Sequence, residues 1–159
     1  MKINKKIFFN ISIIISIFFF DQISKIYVIN YLDLNNKEIY LTSFLNFQLI
    51  WNDGIAFGLL SFDNNFYYNF ITIMIIVVII VLLLIMNTQE THSYFYAMII
   101  GGALGNLIDR IRYSSVPDFI DFHISNFHWF VFNIADIFVS LGVFCLIIAE
   151  IFFNKEKVK

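Results

Sequence analysis

The sequence GGALGNLIDRIRYSSVPDFIDFHISNFHWFVFNIADIFVS, residues 101–140, decides how the rest of the chain is interpreted. It combines long apolar segments with four acidic residues and both arginines of the chain. An ionisable side chain within a bilayer carries a large free-energy cost, so such residues are functional candidates by default. We therefore expect the remainder of the chain to hold these polar groups together within a membrane.

The composition predicts a membrane protein without reference to any motif. Hydrophobic residues make up 60% of the chain and charged residues only 14%, far from the values of soluble domains. A length of 159 residues has room for about four spans of roughly 20 residues each. The predicted fold is an all-α polytopic membrane protein with four transmembrane helices and a small extracytoplasmic β-rich surface segment, forming a single domain over residues 1–159. The chain has 10 basic and 12 acidic residues. Because it lacks an excess of basic residues, a nucleic-acid partner is not expected.

The predicted spans follow the apolar runs, and the predicted surface segment lies between the first two. The turn signal Asn52-Asp53-Gly54, flanked by β-branched and aromatic residues, predicts a small β-hairpin on the membrane surface. In the third span, Gly101 and Gly105 have the GxxxG spacing that lets another helix approach closely. The spans are about 7–29, 67–86, 94–113 and 129–153, with an extracytoplasmic segment at 30–66.

Lysines near the ends of the chain predict its orientation. They occur at positions 2, 5 and 6 and again at 155, 157 and 159, which places both termini in the cytoplasm. With this orientation, a rise of 1.5 Å per residue places Asp21, Asp109 and Asp136 roughly 12, 6 and 10 Å inside the outer surface. Three helices would then bring acidic groups to a similar depth in the outer leaflet, as expected of a shared site.

The most informative chemistry is that of paired carboxylates. Two carboxyl groups held close together share one proton, so that one form accepts a proton from water and the other donates to the substrate. The candidate pair is Asp136 with either Asp118 or Asp109, and the residue types alone leave this choice open. Asp109 adjoins Arg110, which would tend to keep it ionised, whereas Asp118 lies in a loop after Pro117.

Other chemistries have weaker support. His123 and His128 are five residues apart and lack a clear third ligand, so we expect no metal and no other cofactor. A serine activated by Lys25 is conceivable, but no serine has a distinctive setting. The alternative to an enzyme is a small channel or transporter subunit with buried charges, which would distribute polar residues along a pathway through both leaflets.

Five sequence blocks, taken in order, resemble the signature blocks of lipoprotein signal peptidase, also called signal peptidase II. The resemblance extends over the whole chain and includes its length and number of spans. One departure is Pro117, where the family usually has a small aliphatic residue. The blocks are DQISK at 21–25, NDGIAFG at 52–58, GGALGNLIDR at 101–110, DF at 118–119 and FNIAD at 132–136.

The resemblance implies a bacterial inner-membrane aspartic endopeptidase that removes signal peptides from prolipoproteins just before a diacylglyceryl-modified cysteine. It implies Asp118 and Asp136 as the catalytic dyad. It also implies lipidated prolipoproteins and membrane lipid as partners, a monomer, and an active site facing the outer leaflet. The substrate-binding or supporting residues that it implies are Asp21, Lys25, Asn52, Gly54, Asn106, Asp109, Arg110, Asn133 and Ala135.

Overall fold

The computed structural model describes residues 5–33, 38–54, 65–88, 91–124 and 127–153. Most of the predicted surface segment after Gly54, and the lysines at positions 2, 155, 157 and 159, lie outside these residues. The described residues form, in chain order, α1 (Lys5–Val28), the π-helical turn Ile29–Asp33, β1 (Ile39–Thr42), β2 (Leu45–Asn52), α2 (Asn65–Thr88), α3 (Ser93–Tyr113), β3 (Val116–Ile124), β4 (Phe127–Phe132) and α4 (Ile134–Phe153).

In the part of the chain that the structure describes, four long helices form at the positions of the four predicted spans. Among the described residues, three of them are long and apolar enough to cross a membrane: 5–32, 68–88 and 134–152. Helix α3 is 21 residues long, but its glycines and charged side chains make it less apolar than the other three. Its polar residues Ser93, Asp109 and Arg110 are buried, so packing against neighbouring elements contributes to holding this helix in place.

The predicted all-α class is incomplete, because the described chain also contains a four-stranded antiparallel sheet in the order β1-β2-β3-β4. Within the predicted loop 114–128, residues 116–124 form strand β3 and residues 127–128 begin β4, which continues through residue 132. The fourth helix consequently begins at Ile134 rather than at residue 129. Strands from two distant chain segments pair here, and local sequence patterns do not reveal such pairing.

The surface hairpin exists, but its turn is not the predicted one. Strands β1 and β2 pair with Thr42 opposite Leu45, so the chain reverses at Ser43 and Phe44. The tripeptide Asn52-Asp53-Gly54 instead ends β2, where the Asn52 Oδ1 atom accepts a 2.9 Å hydrogen bond from the Gly54 N–H. This Asx turn leaves the amide group of Asn52 available for a second contact.

Glycines on α3 allow α1 and α4 to pack directly against its backbone. A Cβ atom added at Gly101 would lie 3.0 Å from the Cβ of Ile17 on α1, and one at Gly105 would lie 2.5 Å from the Asp21 carboxylate. On another face, a Cβ at Gly102 would lie 2.5 Å from the carbonyl oxygen of Ala135 on α4. The predicted close approach at the GxxxG pair is therefore present, and it brings the polar residues of three helices into one cluster.

Candidate active site

The N-terminus of α4 is organised by a reciprocal pair of hydrogen bonds between Asn133 and Asp136. The Asn133 Oδ1 atom accepts a 3.0 Å hydrogen bond from the Asp136 N–H, and the Asp136 Oδ2 atom accepts a 3.2 Å bond from the Asn133 N–H. This is the capping-box geometry, with Asn at the cap and Asp three residues later. The helix start therefore fixes the position of the Asp136 carboxylate.

The carboxylate of Asp118 lies at the same place because Asn133 also reaches β3. The Asn133 Nδ2 atom donates a 2.6 Å hydrogen bond to Asp118 Oδ1, and the Asn52 Nδ2 atom donates a 2.8 Å bond to Asp118 Oδ2. Both aspartates are buried, with 2% of Asp118 and 6% of Asp136 exposed. One asparagine thus contacts both carboxylates.

The environment of Asp118 favours its protonated form. Burial, followed by the negative charge of Asp136, raises the pKa of Asp118 to about 7. The amide donors Asn52 and Asn133 act in the opposite direction, because hydrogen bonds to a carboxylate favour ionisation. Near neutral pH, Asp118 can therefore hold a proton beside a second carboxyl group.

A second cluster surrounds Lys25, which is 1% exposed. Its ammonium nitrogen lies 2.8 Å from Asp21 Oδ2, 2.6 Å from Asp109 Oδ2 and 2.8 Å from Asn106 Oδ1. Three acceptors match the three N–H donors of an ammonium group. The predicted pairing of Asp21 with Lys25 is therefore present, with Asp109 as a further partner.

Two contacts join the Lys25 cluster to α4. The Asn106 Nδ2 atom donates a 2.8 Å hydrogen bond to Asp136 Oδ1, while its oxygen accepts from Lys25. The Ala135 N–H donates a 2.8 Å bond to Asp21 Oδ1, which satisfies another amide of the first turn of α4. The position of Asp136 is therefore supported by a hydrogen bond from α3 to its carboxylate and by one from the neighbouring Ala135 N–H to α1.

The expected ion pair between Asp109 and Arg110 is not formed. Asp109 turns towards Lys25, whereas the Arg110 Nη2 atom donates a hydrogen bond to the Gly54 carbonyl oxygen. The Arg110 guanidinium also lies 5.7 Å from the ring centroid of Tyr68, whose hydroxyl donates a 2.8 Å bond to the Arg110 carbonyl oxygen. Adjacent residues on a helix point about 100° apart, so they bind different partners.

Gln22 is a member of the Lys25 cluster that sequence reasoning missed. Its Nε2 atom donates hydrogen bonds to Asp109 Oδ1 at 3.0 Å and to the Gly105 carbonyl oxygen at 3.3 Å. A polar residue next to Asp21 in an apolar helix was the available signal. Outside the two clusters, the sheet contains a group that could hold a metal, Asp121 with His123 and His128. Asp121 supplies the third ligand that the sequence analysis did not find.

A mostly helical bundle with apolar outer surfaces, a small sheet at one end and two buried carboxyl groups joined by one asparagine defines a membrane-embedded enzyme. The family model described as signal peptidase (SPase) II matches residues 13–152. The chain therefore belongs to the signal peptidase II family, whose members cleave signal peptides from prolipoproteins. This assignment favours a protease over the channel or transporter alternative.

Curated relatives and solved structures agree with the family assignment. The chain is 50% identical to the lipoprotein signal peptidase of Pelagibacter ubique (strain HTCC1062), covering 98% of this chain and 96% of the relative. It is 36% identical to the lipoprotein signal peptidase of Anaplasma phagocytophilum (strain HZ), covering 82% and 84%. A bacterial membrane enzyme structure at 2.3 Å resolution superposes with a TM-score of 0.80 at 30% identity, covering 94% and 92%.

The Lys25 cluster predicts that substitutions of Lys25 and Asp109 lower the stability by different amounts, and that the two losses do not add in the double variant. Lys25→Met leaves two buried carboxylates without a counter-charge and should cost about 3–5 kcal/mol of stability. Asp109→Asn should cost less, because its amide oxygen still accepts from Lys25 and only the bond from Gln22 is lost. Adding Asp109→Asn to Lys25→Met should recover stability, because it removes one of the uncompensated charges. The measurement is the thermal unfolding midpoint in detergent, with the exposed Lys5→Met as the control.

Two results would contradict this account of the cluster. Simple addition of the two single effects in the double mutant would show that Lys25 and Asp109 are not energetically coupled. A stable Asp109→Asn protein that binds substrate normally but does not cleave it would assign Asp109 to catalysis instead.

Proposed function

We propose that this protein is an aspartic endopeptidase whose catalytic dyad is Asp118 and Asp136. Its substrates are prolipoproteins anchored in the membrane by their signal helices, and the bond cleaved lies just before a diacylglyceryl-modified cysteine. The observation that carries the proposal is the position of Asn133, which contacts both buried carboxyl groups and so holds them at one place. No metal takes part in this chemistry.

The proposed reaction needs one shared proton. Asp136 begins ionised and accepts a proton from the attacking water, while Asp118 begins protonated and donates to the carbonyl oxygen of the scissile peptide. When the tetrahedral gem-diol intermediate collapses, the C–N bond breaks and the leaving amine takes the proton held by Asp136. One gem-diol hydroxyl returns its proton to Asp118 as the carboxyl product forms, so both aspartates regain their starting states. The amide donors Asn52, Asn106 and Asn133 keep both carboxyl groups oriented through these transfers, because they donate to either ionised oxygen.

The remaining residues of the signature blocks act as supports in this proposal. Asp21, Lys25 and Asp109 hold α1, α3 and α4 at the distance the dyad requires, and the Ala135 N–H is one of the bonds between them. Arg110 and Gly54 fasten the end of β2 to α3. Asn52, which ends β2 and donates to Asp118, is thereby held beside the dyad.

The sheet pairing supports a four-span topology. Strand β2 follows α1 and strand β3 follows α3, and the two pair from Leu45 opposite Phe122 to Asn52 opposite Val116. The α1–α2 and α3–α4 connections must therefore lie at the same end of the bundle. We place this end at the outer face of a bacterial inner membrane, with α3 as the third of four crossings and both termini in the cytoplasm. The chain acts as a single-domain monomer.

An apolar cavity beside Asp136 supports a lipid-bearing substrate. It measures about 300 Å³ and is lined by Phe132, Asp136, Ile137, Ser140 and Leu141. An apolar cavity of this kind beside Asp136 suits an acyl chain or an apolar signal helix better than a polar peptide. Burying acyl chains contributes about 0.8 kcal/mol per CH₂, which is enough to position the scissile bond at the dyad.

Substitution of the dyad is the direct test. Asp118→Asn and Asp136→Asn should each lower kcat by at least about 10³-fold, since an amide can neither donate nor accept the transferred proton. The variants should still insert in the membrane and unfold near the wild-type temperature. Glu38→Gln, at an exposed acidic residue beside β1, is the control. Measurable turnover in either dyad variant at wild-type levels would remove that residue from the mechanism.

The pKa of Asp118 gives a pH prediction with a definite sign. Because its pKa is raised to about 7, the donor proton is present at lower pH and is lost as pH rises through about 7. The kcat/KM for a lipidated precursor should therefore fall tenfold per pH unit above that value, as expected for loss of one required proton. A profile that stays level from pH 6 to pH 9 would contradict Asp118 as the proton donor.

The lipid requirement can be tested with two precursors that differ only at the cysteine. The diacylglyceryl-modified precursor should be cleaved, and the same precursor with a bare cysteine should be cleaved at a small fraction of that rate. The new N-terminus, read by mass spectrometry, should be the modified cysteine. Equal rates would show that the peptide sequence alone positions the bond.

A further inference from the structure

The β3–β4 hairpin carries a cluster that the proposed peptidase chemistry does not use. Asp121 and His123 are two residues apart on β3, and His123 lies directly opposite His128 on β4. One ring nitrogen of each histidine and a carboxylate oxygen of Asp121 all lie within 4.8 Å of one another. These three residues are the hairpin cluster.

The spacing within the hairpin cluster fits a small divalent cation. Two ligands that each lie about 2.0–2.1 Å from a tetrahedral zinc ion are about 3.3–3.4 Å apart. The Asp121 Oδ2 atom lies 2.8 Å from His128 Nδ1 and 3.8 Å from His123 Nδ1, so the observed distances lie on either side of that value. Small side-chain rotations would bring all three atoms to one ion.

A hydrogen bond alone does not account for this arrangement. The contact between Asp121 and His128 satisfies one carboxylate oxygen and one ring nitrogen. It leaves the Asp121 Oδ1 and His123 Nδ1 atoms buried without a hydrogen-bond partner among the described residues. Asp121 is 1% and His123 9% exposed, and buried polar atoms without a partner are costly.

A neighbouring strand adds a further unpaired acceptor. Asn46 on β2 lies directly opposite Asp121 in the sheet, so both side chains fall on the same face. The Asn46 side chain is also buried, and its Oδ1 atom has no partner among the described residues. Three buried polar atoms of neighbouring side chains, Asn46 Oδ1, Asp121 Oδ1 and His123 Nδ1, therefore lack a hydrogen-bond partner among the described residues.

We propose that the hairpin cluster binds a divalent transition-metal ion, with Zn²⁺ as the ion its ligands suit best. Two imidazole nitrogens and one carboxylate oxygen are ligands that zinc takes, and three protein ligands leave one position for water. The His128 side chain is 53% exposed and provides the route by which the ion enters. Bound there, the ion cross-links β3 and β4, the strands that lead to Asp118 and to Asn133.

The test uses the full chain, purified in detergent with a tag that contains no histidine. Zinc affinity is measured by competition with a chromophoric chelator, and the metal retained after desalting is counted by mass spectrometry. The wild type should bind one equivalent of zinc, and His123→Ala and His128→Ala should each bind at least tenfold more weakly. His92→Ala is the matched control, because His92 is the one histidine of the sequence outside the hairpin cluster and lies at the start of α3.

Two further measurements separate metal binding from folding. Zinc should raise the unfolding temperature of the wild type and not that of His128→Ala, each compared with its own metal-free form. This comparison excludes the separate cost of losing the hydrogen bond between His128 and Asp121. Cobalt added in place of zinc should give visible absorption bands that His123→Ala lacks. Equal zinc affinity in wild type and in the His123→Ala/His128→Ala double variant would overturn the proposal, as would equal loss in His92→Ala.

Discussion

The structure depends on one buried ammonium group. Lys25 meets Asp21 on its own helix and both Asp109 and Asn106 on α3, and it is almost fully removed from solvent. A charge so placed is tolerated only if all its donors are satisfied and opposite charges are near. The requirement fixes the rotation and height of α1 against α3, because shifting either helix by one residue would separate the partners.

Asn106 carries the effect of that constraint to α4. Its oxygen accepts from Lys25 and its nitrogen donates to Asp136, so the amide has only one orientation that satisfies both neighbours. Glycines on α3 make the contact possible by admitting the backbone of α4 at Gly102 and the Asp21 carboxylate at Gly105. Charge, hydrogen bonding and close helix packing therefore act on the same few atoms.

The sheet performs a different task from the helices. It brings the end of β2 beside the start of β3, so that Asn52 donates to one oxygen of Asp118. Asn133, which directly follows β4, donates to the other oxygen. A strand can hold a carboxyl group at the edge of the helical bundle without adding another charged residue to a spanning helix. The arrangement leaves Asp118 buried but outside the apolar spans, where its raised pKa matches general acid chemistry near neutral pH.

The sequence by itself determined the membrane class, the four long helices, the GxxxG contact at Gly101 and Gly105, and the family, because apolar length and short motifs are local properties of the chain. It also predicted the partnership of Asp21 with Lys25, since residues four apart share a helix face. Only the tertiary structure decided the four-stranded sheet, the turn of the surface hairpin, the choice of Lys25 rather than Arg110 by Asp109, and the meeting of Asp121 with two histidines. Each of these depends on which distant segment packs alongside, and that is set by the burial and hydrogen bonding of the whole chain rather than by neighbours in sequence.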